Sequence, residues 1–84
     1  ENIVKIQAVW PVDGIPELPG DMQVLHTSRV GRVFTYIIRG NAEQIRQRLE
    51  REKPLMLEAL PLSLEEIFIY EMGGVDYEVK EIIL

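Results

Sequence analysis

MQVLHTSRVGRVFTYIIR, residues 22–39, is the stretch on which the fold turns. It reads as two strands joined at a tight turn near Gly31, because glycine supplies the positive φ that a hairpin turn demands. Directly after it, NAEQIRQRLEREK (41–53) reads as a helix. Asn41 can cap it, Gln44 at the third helical position can reach back, and Ala42, Ile45 and Leu49 form a narrow apolar stripe. Arg46 with Glu50, and Arg48 with Glu52, stand four residues apart, a spacing worth about 0.3 kcal/mol per exposed pair. Pro54 is placed to end the helix. LMLEAL (55–60) then reads as a strand, with Leu55, Leu57 and Ala59 on one face and Glu58 on the other.

Upstream, IVKIQAVW (3–10) alternates cleanly, Val4, Ile6, Ala8 and Trp10 pointing one way and Lys5 and Gln7 the other. PVDGIPELPG (11–20) holds three prolines and two glycines in ten residues, too many for a long helix. One short turn capped by Asp13 and containing Ile15 and Leu18 fits there. The order strand, turn, strand, strand, helix, strand predicts an α+β fold, a ferredoxin-like antiparallel sheet (β-turn-β-β-α-β) whose first helix is reduced. One sheet face would then carry the helices and the other would be open. Ile3, Val9, Val33, Ile37 and Met56 are candidates for the open face, which is too apolar to be left wholly in water.

An added C-terminal helix follows, in PLSLEEIFIYEMGG (61–74). Ser63 with Glu66 three residues on is a capping-box pattern, and Leu62 with Ile67 fits a hydrophobic staple. Gly73 is placed to end the helix in a left-handed conformation. At 100° per residue the apolar positions Leu64, Ile67, Phe68, Ile69, Tyr70 and Met72 span roughly 260° of its circumference, far more than one stripe. One side can lie on the local sheet and the other calls for a partner, so these six residues form the candidate interface. Residues 1–74 are therefore expected to make the domain, and 75–84 (VDYEVKEIIL) a C-terminal tail.

Composition excludes several function classes. The net charge of −5 speaks against a nucleic-acid binder, which needs a basic face against phosphates. The charge is uneven: residues 29–53 carry a net of +4 and the remainder −9, either a steering asymmetry or a solvated surface whose charges cancel on folding. With no cysteine and the single histidine His26, the usual zinc sites cannot be built, and a reducing compartment is expected. No apolar run approaches the ~18 residues a membrane helix needs. No serine sits in a nucleophile elbow, and no glycine-rich phosphate loop occurs. Glu65 and Glu66 diverge on a helix and serve its dipole. Arg29 and Arg32 flank the hairpin turn as solubilising residues or, alternatively, an anion site, and Trp10 before Pro11 reads as core closure. The opening Glu1 is read as the start of a piece of a longer protein.

LPLSLEEIFIYEMGG resembles the end of ATP-binding subunits of ABC exporters, in which a small domain after the ATPase closes on proline or serine, leucine, Glu-Glu, a hydrophobic residue and phenylalanine. Here those positions are Pro61, Ser63, Leu64, Glu65, Glu66, Ile67 and Phe68. The upstream order is similar too, with an LPG turn at 18–20, a hairpin, a helix of the AEQIRQRL type and a strand, so the resemblance spans residues 3–74. It implies a non-catalytic, regulatory accessory domain of an ABC transporter, with no cofactor of its own. ATP and Mg would belong to an upstream ATPase domain, and no catalytic residue of the family matches a position here. The partners implied are that ATPase domain, an integral-membrane permease subunit, and a second copy in a homodimer, at a cytoplasmic site peripheral to the membrane. The alternative expectation is a stand-alone ferredoxin-like module that binds a small molecule or acts as an adaptor.

Overall fold

The computed structural model describes residues 3–71. In chain order it holds β1 (Ile3–Val9), β2 (Gln23–Val30), β3 (Val33–Arg39), α1 (Ala42–Glu50), β4 (Met56–Leu60) and α2 (Leu64–Glu71). The four strands form one antiparallel sheet in the order β2-β3-β1-β4, consistent with a ferredoxin-like α+β fold. Gly31 turns the β2–β3 hairpin with φ 61°, the left-handed value its position requires.

Residues 10–22, where a first helix would stand in the full pattern, form no helix. Asp13 lies instead in a turn closed by the Gly14 N–H donating to Pro11 O at 2.9 Å. Three prolines leave too few backbone donors for more.

The alternation of β1 decides where the core lies. Val4, Ile6, Ala8 and Trp10 are buried on one face together with Tyr36, Ile38, Ile45 and Leu49, and Leu18, Met22, Val24, Phe34 and Leu57 pack around them. Trp10 closes this core as expected: its Nε1–H donates to the Tyr36 hydroxyl at 2.9 Å, satisfying the one polar group the indole brings inside. Burial in turn raises the Tyr36 phenol above its ordinary pKa.

α1 begins where its cap predicts, the Gln44 N–H donating to Asn41 Oδ1 at 3.0 Å. It stops at Glu50, before the proline: Glu52 and Lys53 N–H groups donate to the carbonyls of Leu49 and Glu50, and Lys53 turns left-handed at φ 60°. The Arg46–Glu50 pair forms at 2.9 Å, but Arg48 does not take Glu52. It reaches Asp21 in the β1–β2 connection with two bonds of 2.9 and 3.1 Å, a fork geometry that holds the Asp21 carboxyl below its usual pKa.

The largest departure from expectation is the position of α2. The sheet does not leave its second face wholly open: α2 crosses one end of it, opposite α1, while Val30 and Met56 toward the hairpin end stay exposed. Lys5 pairs in register with Ile37, and Ile3 with Arg39, on the face away from Ile6 and Ile38. α2 touches that face through Lys5 and Arg39, and under it Ile37 is only 2% exposed. β4 ends beside Lys5, so residues 61–63 need only step off the strand onto the nearer face.

The two layers differ in depth, which sets a stability contrast. Leu49→Ala, at a site with no exposure, should cost about 2–5 kcal/mol in urea unfolding. Phe68→Ala, at a site 57% exposed, should cost about 1 kcal/mol or less.

Candidate docking surface

α2 is made by its first turn. The Glu66 N–H donates to Ser63 Oγ at 3.0 Å while the Ser63 N–H donates to Glu66 Oε1 at 2.9 Å, so the capping box closes in both directions. The second carboxylate oxygen of Glu66 meets Lys5 Nζ at 2.8 Å. One residue thus caps the helix and anchors it to β1. At the far end Arg39 Nη2 donates to the Tyr70 carbonyl at 3.1 Å, a cation on an end carbonyl where the helix dipole is negative. The His26 and Tyr70 rings lie 6.2 Å apart, so α2 spans from β1 across β3 to β2.

The expected interface residues divide about this seat. Ile69 and Tyr70 are half-buried. Leu64 is 85% exposed and Phe68 57%, standing one helical turn apart, while Ile67 at 39% lies between the two classes. Met72 and Gly73, and the 75–84 tail, lie outside the described residues. No α2 side chain is fully buried, so the helix is apolar outside as well as inside. Glu65 and Glu71 are exposed, and the helix carries no basic residue.

A hollow of about 520 Å³ opens where Leu62 and Ile67 meet Ile3 and the first turn of α1. Both residues of the expected staple line it, and its charged lining, Glu43 and Glu71, is acidic. That lining suits no carboxylate or phosphate ligand.

The other sequence candidates are placed as follows. Arg29 donates to Gly31 O at 2.8 Å and lies over the Phe34 ring at 4.8 Å, while Arg32 donates to Trp10 O at 2.8 Å. Both brace the hairpin against the core. His26 is an exposed residue of the edge strand β2. Among the described residues, no group of three or more His, Asp or Glu side chains could hold a metal, and no helix is long and apolar enough to cross a membrane. Lys5 and Arg39, which position α2, carry no sequence signal for that role. They stand 61 and 31 residues from their partners.

Compared with protein-family models, curated proteins and solved structures, the chain matches none.

The Lys5 hydrogen bond, with the Ser63 backbone donor second, holds the Glu66 carboxyl below its ordinary pKa. A depressed carboxylate contributes stability above its unfolded pKa and loses it as pH falls through the folded one. Carbon-13 titration of Glu66 should therefore give a pKa below the usual glutamate value, and Lys5→Met should raise it. On acidification below about pH 4.5 the wild type should lose stability through both Glu66 and Asp21, and Glu66→Gln should remove only the first part of that loss. An unchanged Glu66 titration in Lys5→Met would refute the anchoring role.

Proposed function

We propose that this chain is a non-catalytic accessory domain of the ATP-binding subunit of an ABC transporter. The observation that carries the reading is the seat of α2. The segment bearing the family-like residues Ser63, Leu64, Glu65, Glu66, Ile67 and Phe68 forms a helix held to its own sheet by Glu66, with Leu64 and Phe68 turned outward. An exposed leucine and phenylalanine one turn apart suit an i, i+4 anchor pair set against another protein surface.

In this reading the outer side of α2 packs on the upstream ATPase domain or on the second subunit, and modulates its coupling to the membrane permease. ATP and Mg are handled by the upstream domain. The domain lies in the cytoplasm, peripheral to the membrane through the permease. Its small size fits an appended module: a domain of this length buries enough for one core but leaves a large share of apolar surface for docking.

The test is the coding DNA directly upstream of the Glu1 codon. It is expected to encode, in frame, an ATPase with a phosphate-binding loop and the transporter signature. A start codon immediately before Glu1 overturns the proposal, and the small-molecule or adaptor module takes its place.

A further inference from the structure

At the end of the sheet away from the hairpin tip, the strands do not finish level. β4 makes its last pair at Leu60 with Lys5, so Ile3 and Val4 of β1 have β3 on one side and, among the described residues, no strand on the other. Pro61 has no N–H with which to continue β4, and the chain leaves the edge there. The hollow of about 520 Å³ lies in this notch, between the first turn of α1 on one face of the sheet and α2 on the other.

Its walls are of two kinds. Ile3, Val4, Leu62 and Ile67 supply hydrocarbon, Glu43 and Glu71 supply carboxylates from the two opposed helices, and no lysine or arginine lines it. Glu43 is loosely engaged: a single oxygen, Oε2, meets Arg46 at 3.4 Å and Gln47 at 3.3 Å. Glu71 has no hydrogen bond or ion pair among the described residues. Lys5, the nearby cation of β1, is held by Glu66 instead.

We propose that this hollow is a binding site for an organic ammonium ion, an apolar body that carries one primary amine. Its volume falls within the usual range of small-molecule sites, which set a few polar groups in a mainly apolar wall. Burial of the body against Ile3, Leu62 and Ile67 supplies affinity in proportion to the apolar area covered. The ammonium group, with three N–H donors, then fixes the orientation by bonding to carboxylate oxygens.

The helix dipoles decide which end the charge takes. The start of α1 carries partial positive charge and opposes a cation, although Asn41 caps it and Glu43 stands in its first turn. The end of α2 carries partial negative charge, which adds to that of Glu71. The ammonium group therefore belongs at Glu71, with the body toward Ile3 and Leu62. An anion meets two like charges in the hollow, and a neutral molecule gains the wall without the carboxylates. The site needs nothing from an upstream ATPase domain, so it exists or fails independently of one.

The test is titration of the nitrogen-15-labelled 84-residue chain at neutral pH with phenylbutylammonium, phenylbutanol and phenylbutyrate, which share one apolar body. Amide shifts with the ammonium probe should saturate with a Kd below about 2 mM, centred on Ile3, Val4, Ala42 and Glu71. The alcohol should bind about fivefold more weakly, and the carboxylate should not bind measurably. Glu71→Gln should weaken the ammonium probe by about threefold or more and leave the alcohol unchanged. That substitution removes an acid from the negative end of a helix, so the fold keeps its stability. Ala42→Leu, at an exposed site on the rim, should weaken both probes while thermal unfolding stays close to wild type. No saturable shift up to about 10 mM overturns the proposal, as would follow if another segment of the chain filled the hollow. An ammonium probe no tighter than the alcohol, shifts centred elsewhere, or indifference to Glu71→Gln overturns it as well.

Discussion

Every other part of this molecule leans on the two-sided pairing of β1. It is bonded to β3 along seven register pairs and to β4 along five, so its alternation is imposed on both neighbours. Its even-numbered side chains, Val4, Ile6 and Ala8, with Trp10 beyond the strand, make the floor of the main core under α1. Its odd-numbered ones, Ile3, Lys5, Gln7 and Val9, define what the second face can hold. A one-residue slip would put Lys5 beneath α1 and Ile6 beneath α2, so this register is strongly specified.

The two faces are stabilised by different means. Under α1 the tie is burial, with Leu49 and Ile38 fully enclosed and the Trp10 indole N–H satisfied by the Tyr36 hydroxyl. Under α2 burial is partial, centred on Ile37, and charged groups set the position: Lys5 on the Glu66 cap and Arg39 on the Tyr70 carbonyl. A partly exposed ion pair such as Lys5–Glu66 contributes about 0–1 kcal/mol. Such ties orient the helix more than they hold it. α2 is accordingly held less firmly than α1, which buries Ile45 and Leu49, and local opening should reach it first.

The difference explains what could be read from the chain. Strong local signals were legible: the alternation of residues 3–10, the Gly31 turn, the Asn41 cap, and the reciprocal capping of Ser63 and Glu66. From these the strand order and the ferredoxin-like α+β class follow. Long-range choices were not legible. Arg48 has Glu52 four residues away, yet takes Asp21, 27 residues back, because the fork geometry there is better. The register shift between Val24 and His26 leaves no mark in composition. The side taken by α2 was hidden for a related reason: a helix apolar over most of its circumference has little amphipathic direction to declare. The candidate surface was therefore half legible, since its residues were visible while the division into inward Ile69 and Tyr70 and outward Leu64 and Phe68 depends on Lys5 and Arg39.

That division couples the two sides of α2. Glu66, in the first turn, is fixed from within, and Leu64 and Phe68 flank it on the outside. A surface that grips those two outer side chains binds only the ordered, capped helix, and so favours the seated state over any frayed one by mass action. Conversely, each contact that seats α2 from below removes conformational entropy that outside docking would otherwise cost. The weak inner ties and the apolar outer stripe are thus parts of one arrangement. A helix buried on one side alone would need no partner, and one with no inner anchor would present Leu64 and Phe68 in no fixed orientation. Holding a short apolar helix lightly on a sheet, by its cap and the Tyr70 carbonyl, keeps a docking ridge ordered without closing it into the core.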